Sequence, residues 1–169
     1  NAGNSATLGR LILGMIINST KTIKLIGDKS LSRRDFYRVI KPLNLFGLKI
    51  KSKNGKLPIE FQGNNYLTPI TYFEKRGSAQ CKSSVMYAAL NTPGVTKIKA
   101  KKSRDHTEIL FKHLNFPIKI KKSKKFDLIE IKGLHSYSGF NYRIPSDISS
   151  SAFFIVLTAL STGSKLKIK

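Results

Sequence analysis

Two short segments hold the residue types best suited to gripping an anion. Asn4-Ser5-Ala6-Thr7 and Gly77-Ser78-Ala79-Gln80 are small and polar, and each stands just before an apolar stretch. At a helix start the free N–H groups and the helix dipole favour a phosphate or carboxylate. The ordinary use of Ser or Asn in such a place is capping, and on composition alone capping is the better reading. Arg33-Arg34 and Arg104 are a second set, because a guanidinium meets an oxyanion through a planar two-pronged fork. The same residues are also what any basic surface displays. A third cluster, Arg104-Asp105-His106-Thr107-Glu108, sets a His beside two acids. Its spacing is poor for a metal, since no Cys or second His lies one helical turn away. Asp105 reads instead as a helix N-cap, with Glu108 three residues on completing a capping box. His113 and His135 are isolated. Cys81, early in an apolar helix, reads as a small buried thiol. P-loop, dinucleotide, nucleophile-elbow and metal-spaced His signatures are absent from the sequence.

The elements that must position these residues emerge from composition and period. The chain has 169 residues, 40% of them hydrophobic, enough for one domain or two small pieces of a larger one. It carries 31 Lys+Arg against 9 Asp+Glu, a formal charge of +22, so an anionic partner is expected. Many lysines alternate with apolar residues, as in Lys97-Ile98-Lys99 and Lys165-Leu166-Lys167-Ile168. That period of two marks strands with one buried face and one wet face, so most of the charge reads as solvated surface. Only Lys121, Lys122, Lys124 and Lys125 form a dense cluster, and Ser123 among them predicts a hairpin turn. A single Cys excludes a disulfide framework. No apolar run reaches the roughly 20 residues of a membrane helix, and a cytoplasmic setting is expected. The chain begins without Met and ends on Lys-Leu-Lys-Ile-Lys, mid-strand in pattern, which predicts an internal piece of a longer protein.

An internal repeat organises the chain. Ser5-Ala6, Ser78-Ala79 and Ser151-Ala152 each open an apolar stretch at a spacing of 73. Arg34-Asp35 and Arg104-Asp105 stand 70 apart, as do Gly63 and Gly133, each ending a Lys-rich hairpin. The predicted elements are helices over 5–17, 78–90 and 149–161, each followed by a strand at 22–27, 95–100 and 165–169. Second helices come next at 32–46 and 105–114. Hairpins pair 48–52 with 57–62, turning at Asn54-Gly55, and 117–122 with 126–132. Further strands are expected at 68–74 and 140–144. The repeating unit is thus β-α-β-α-β-β: one copy lacking its first strand, one complete, and the start of a third. The fold class is α/β.

In order, these segments resemble EPSP synthase (3-phosphoshikimate 1-carboxyvinyltransferase), and within it the glyphosate-tolerant bacterial class. Gly3-Asn4-Ser5-Ala6-Thr7-Leu8-Gly9-Arg10 resembles the family's G-N-x-(G/A)-T-x-x-R. Gly27-Asp28-Lys29-Ser30-Leu31-Ser32-Arg33-Arg34 resembles G-D-x-S-L-x-x-R. Thr68-Pro69-Ile70-Thr71-Tyr72 and Ser78-Ala79-Gln80-Cys81-Lys82-Ser83 resemble T-P-I-x-Y and S-A-Q-x-K-S. Leu90-Asn91-Thr92-Pro93-Gly94, Ser103-Arg104-Asp105-His106-Thr107-Glu108 and Ile144-Pro145-Ser146-Asp147-Ile148-Ser149-Ser150 stand in family order.

The resemblance implies two lobes of three such units each, with helices packed inside and sheets outside. Residues 1–143 would be the second and third units of the first lobe, and 144–169 the start of the second. It implies transfer of the enolpyruvyl group of phosphoenolpyruvate to shikimate 3-phosphate by addition and elimination, releasing phosphate, with no cofactor. By motif position Arg34 would bind phosphoenolpyruvate, with the Ala6 backbone lining the same pocket. Ser78, the Ala79 backbone and Arg104 would hold the phosphate of shikimate 3-phosphate, and Gln80 would touch both substrates. Ala6 stands where glyphosate-sensitive members carry Gly, which implies tolerance. Asp35 stands where the family has Pro, and Ser146 where it has Gly. The family's acid and base groups lie beyond Lys169, and its K-S-x-x-x-R segment before Asn1. No catalytic residue is therefore expected within this chain, which alone should be inactive. A monomeric parent is implied, while uncovered helix faces predict self-association of this piece. The rivals are the enolpyruvyl transferase acting on UDP-N-acetylglucosamine and a basic nucleic-acid-binding fragment. The first carries a Cys in a Pro-Gly-rich loop, unlike Cys81. The second rests on charge alone.

Overall fold

The computed structural model describes residues 1–169 except Asn65, Tyr137, Pro145, Ser146 and Lys169. It forms two compact units, Asn1–Tyr137 and Ser138–Lys169. In the first unit the order is α1 (Ala6–Met15), β1 (Thr22–Leu25), a 3₁₀ turn (Leu31–Arg33), α2 (Tyr37–Leu45), β2 (Lys51–Lys53) and β3 (Lys56–Gln62). Then come β4 (Thr71–Glu74), α3 (Ala79–Leu90), β5 (Val95–Lys101), α4 (His106–His113), β6 (Ile118–Lys122) and β7 (Phe126–Lys132). The strands form two sheets, β1-β3-β2 and β4-β5-β7-β6. Among the described residues only β4 and β5 pair in parallel, with α3 as their crossover; the other pairs are antiparallel. From β4 to β7 the chain reads β-α-β-α-β-β. From α1 to β3 it reads the same without the first strand, and the order β1-β3-β2 repeats as β5-β7-β6.

Alternation builds the strands. Thr96, Ile98 and Ala100 of β5 face inward, while Lys97, Lys99 and Lys101 face water. Leu57, Ile59 and Phe61 of β3 do the same between Lys56, Pro58 and Glu60. The outward lysines meet scattered acids, Lys24 with Glu60 at 3.0 Å and Lys97 with Glu130 at 3.8 Å. Such exposed pairs add little stability. The predicted turn at Asn54-Gly55 has φ of +53° and +67°, the left-handed pair that a tight hairpin demands. Ser123 closes the second hairpin, its Oγ accepting the Phe126 N–H at 3.2 Å.

The core is one cluster around α3, a helix buried on most sides through Cys81, Ser84, Val85, Met86, Ala88 and Ala89. Helix α1 lies along it so closely that a side chain on Gly14 would meet the Ser84 carbonyl at 2.0 Å. The repeated glycines mark the same event twice. A Cβ on Gly63 would stand 2.3 Å from the Ser19 carbonyl, and one on Gly133 only 1.8 Å from that of Thr92. Each hairpin thus ends against the backbone just beyond α1 or α3.

Several expectations are corrected. The helix expected over 32–46 is broken. Arg34 is extended at ψ 150°, Asp35 Oδ1 accepts the Tyr37 N–H at 2.7 Å, and Phe36 donates its own N–H to Gly55 O at 2.8 Å. These bonds end the 3₁₀ turn and start α2 anew. The strand expected over 68–74 is confined to β4. In the second unit α5 (Ile148–Leu160) is the one regular element among the described residues, and neither 140–144 nor 165–168 is a strand. Alternation alone makes no strand without a neighbouring ladder to accept its N–H groups. Ser151 does not head its helix: Asp147 caps it, accepting the Ser149 N–H at 2.9 Å, so the third repeat marker falls one turn inside α5. The Ser146 departure lies outside the described residues.

Candidate functional site

Both helix starts are capped as composition favours. Ser5 Oγ accepts the Leu8 N–H at 3.1 Å, and Ser78 Oγ accepts the Cys81 N–H at 3.3 Å. Each preceding loop is held by a carboxylate. Before α1, Asp28 takes the Leu31 N–H at 2.7 Å and the Asn4 side-chain amide at 2.5 Å. These bonds hold its carboxyl below the usual range. Before α3, the buried Glu74 takes three backbone N–H groups: Arg76 at 3.1 Å, Gly77 at 2.6 Å and Ser78 at 2.9 Å. Gly77 sits at φ +73°, and a Cβ there would lie 3.1 Å from Lys102 O. The N–H groups of Ala79 and Gln80 belong to the first turn, where no intrahelical acceptor exists.

Those amides open on a cleft of about 360 Å³ lined by Gly77, Ser78, Ala79, Gln80, Ser103 and Arg104. Four of the six predicted site residues, Ser78, Ala79, Gln80 and Arg104, therefore share one cleft. First-turn amides, a hydroxyl and an exposed guanidinium together suit a phosphate group. Arg34 is exposed in another, more open cleft, with Asp28, Lys29, Ser30 and Arg33. Asp35 accepts the Tyr37 N–H through Oδ1 at 2.7 Å, and its Oδ2 lies 3.9 Å from Arg38 Nε. Ala6 is buried in the first turn of α1 and borders neither cleft.

Gln80 ties the two regions together. Its Oε1 accepts from Arg10 Nη1 at 2.5 Å, and its Nε2 donates to Thr7 Oγ1 at 2.8 Å. Arg10 then donates through Nη2 to the carbonyl of Asp35 at 2.9 Å and lies 5.4 Å from the centre of the Phe36 ring. Burial, with Arg38 nearby, lowers its pKa, yet a guanidinium remains charged at neutral pH. Sequence reasoning misses Arg10 as a site residue. The signal is present all the same: it lies three residues after Thr7 and four after Ala6, on the same helix face.

Other polar residues escape sequence reasoning or mislead it. Asp105 does not cap through its side chain. It pairs with Lys122 at 3.1 Å, which lowers the Asp105 pKa and raises that of Lys122. Glu108 is not its capping-box partner: it is buried and pairs with the buried Lys82 at 2.5 Å. Glu74 gives no signal, since nothing in a lone Glu announces which amides it will meet. The Cys81 thiol is buried, and desolvation raises its pKa. Among the described residues no group of three metal-binding side chains occurs, and no helix is long and apolar enough to cross a membrane.

Residues 1–169 match the EPSP synthase (3-phosphoshikimate 1-carboxyvinyltransferase) family. A 3-phosphoshikimate 1-carboxyvinyltransferase of Vesicomyosocius okutanii is 42% identical over 162 residues, 95% of this chain and 36% of the relative. One of Thermotoga sp. strain RQ2 is 38% identical over 168 residues, 98% of this chain and 38% of the relative. The EPSP synthase structure of Acinetobacter baumannii superposes with a TM-score of 0.78 at 36% identity, covering 93% of this chain and 35% of that one. The chain thus spans little more than a third of the length of these relatives. Its repeated β-α-β-α-β-β units, its ordered motifs and these matches agree, and the chain belongs to the EPSP synthase family.

Proposed function

We propose that this chain supplies part of a 3-phosphoshikimate 1-carboxyvinyltransferase, the enzyme that moves the enolpyruvyl group of phosphoenolpyruvate onto shikimate 3-phosphate and releases phosphate. The observation that carries the reading is the gathering of Ser78, Ala79, Gln80 and Arg104 around one cleft. There the first-turn amides of α3, the Ser78 hydroxyl and the Arg104 guanidinium hold the phosphate of shikimate 3-phosphate. Gln80 faces both substrates, and Arg34, exposed in its own cleft, takes phosphoenolpyruvate, the Asp35 carboxylate being engaged by the Tyr37 N–H and near Arg38. The chain provides binding groups, and the proton-transfer groups belong to the rest of the enzyme, so alone it binds without turnover. Residues 1–143 form the second and third units of one lobe, and 144–169 open the other. The setting is cytoplasmic. Ala6, standing where glyphosate-sensitive members carry Gly, gives tolerance to that inhibitor.

Calorimetric titration of the chain with shikimate 3-phosphate tests this, with shikimate and inorganic phosphate alongside. Saturable binding that exceeds both controls and disappears in Arg104→Ala is expected. Equal binding of Arg104→Ala and the unmodified chain would overturn the reading. For tolerance, the full-length enzyme and its Ala6→Gly variant are compared in glyphosate inhibition, and equal inhibition refutes that part.

A further inference from the structure

The buried pair behind the phosphate cleft has a geometry that stability does not explain. Lys82 is 1% exposed and Glu108 3%, among the most enclosed ionisable groups described. Lys82 Nζ lies 2.5 Å from Glu108 Oε1, while Glu108 Oε2 is buried without a hydrogen bond. An ion pair in this setting costs much desolvation, and an apolar pair of similar size would serve folding as well or better. A second bond of the ammonium separates this pair from an ordinary core contact: Nζ also donates to the main-chain carbonyl of Arg104 at 2.9 Å. Arg104 and Ser103 line the cleft together with Ser78-Ala79-Gln80. Close by, Ser83 Oγ and Thr107 Oγ1, each adjacent in sequence to a member of the pair, meet at 2.7 Å, so α3 and α4 are clasped at two points here.

We infer that Lys82 is a positioning residue, which through Glu108 fixes the Arg104 main chain and so aims the guanidinium into the cleft at a phosphate held on the first turn of α3. This rests on the reading of that cleft as a phosphate site. The device is specific: Glu108 orients the ammonium, the ammonium holds one carbonyl, and that carbonyl belongs to the residue whose side chain is used. Lys82 itself stays out of reach of any ligand.

Lys82→Met alone leaves a buried carboxylate unpaired, so the decisive variant is Lys82→Met with Glu108→Met, which removes both charges. Backbone hydrogen exchange of residues 102–106 is measured first, with β1 as the internal control. In the double variant those amides should exchange about tenfold faster, β1 being unchanged, since local opening is set by local contacts. Affinity for shikimate 3-phosphate should fall about tenfold, and that for unphosphorylated shikimate should not change. Unaltered exchange at 102–106 in a folded double variant overturns the inference, whatever the ligand does. Faster exchange in a chain that never bound shikimate 3-phosphate leaves the anchoring role standing and removes the phosphate reading instead. Should the double variant not fold, the ammonium of the unmodified chain is read by ¹⁵N-lysine NMR. A Lys82 signal protected from solvent exchange supports the anchor, and one as fast as the exposed lysines refutes it.

Discussion

The two capped helix starts, at Ser5 and at Ser78, occupy the same place in successive repeats but are anchored by different physics. Around α3 the anchors are buried and charged: Glu74 gathers three backbone N–H groups, and Lys82 reaches Glu108 and the Arg104 carbonyl. Around α1 the carboxylate anchor is Asp28, which stands at the surface and takes the Leu31 N–H and the Asn4 amide. The residue 73 before Lys82 is Gly9, where an added Cβ would rest 3.3 Å from the Phe36 ring. One repeat therefore fixes its loop through a buried ion pair and a buried carboxylate, and the other through a wet carboxylate, ring packing and the buried Arg10 guanidinium, which bonds neutral oxygens of Gln80 and Asp35. Enclosed charges are intolerant of losing a partner, whereas exposed ones are not. The α3 cleft should therefore be the stiffer of the two, which the proposed phosphate site would require.

The comparison breaks most sharply at its largest asymmetry. Lys82→Met alone should cost about 3–5 kcal/mol in denaturant unfolding, because Glu108 is left charged and buried. Gly9→Ala, the matching position, asks only that the Phe36 ring yield by a few tenths of an ångström, and should cost far less. Similar losses for both would mean that the repeats are anchored alike. Glu74→Ala comes next. It strips three amides of their acceptor and should cost about 3 kcal/mol, together with binding at the cleft. Asp28→Ala should lower the midpoint less, since water replaces its bonds.

Ser5→Ala and Ser78→Ala sharpen the contrast by cancelling one side of it. Each removes an N-cap and should cost about 1 kcal/mol. Only Ser78→Ala should also weaken shikimate 3-phosphate in calorimetry, and a matching loss from Ser5→Ala would place the phosphate elsewhere. The smallest effect is a pH dependence. The Asp28 carboxyl has a lowered pKa in the folded chain, so its contribution is present above the unfolded value near about 3.9. It disappears as pH falls through the folded value. Acid unfolding of Asp28→Asn should therefore lack a small part of the stability loss seen below that point. Identical acid curves would show that Asp28 holds nothing.

Much of this is legible in the sequence because the responsible physics is local or steric. Ser5 and Ser78 announce caps, Asn54-Gly55 announces a left-handed turn, and alternating lysines announce strands with a wet face. Gly63 and Gly133 repeat because no side chain fits against the Ser19 and Thr92 carbonyls, a requirement that survives in any copy of the unit. The illegible part depends on partners distant in sequence. Glu108 fits a capping box by spacing, yet its charge is needed 26 residues earlier, at Lys82. The 32–46 helix looks continuous because the bond that interrupts it, Phe36 to Gly55, comes from the next hairpin. The alternation of 165–168 is equally persuasive, but a strand is a property of a pair.

The spacings of 73 and 70 hold one more consequence. The Ser5 and Ser78 caps stand 73 residues apart, while the Arg-Asp steps and hairpin glycines stand 70 apart. The earlier copy is therefore three residues longer, and the surplus falls between the Ser5 cap and Arg34. That interval holds the 3₁₀ turn Leu31–Arg33, which is itself three residues long. An insertion of one closed turn lengthens the chain without displacing its continuation, so every element from Arg34 to Gly63 keeps its phase with the later copy. Nor is it slack: Leu31 is wholly enclosed, and Arg33 lines the cleft of Arg34. The surplus turn is thus the point at which the two copies part, and it sets Arg33 beside Arg34 in a cleft that the later copy builds without it.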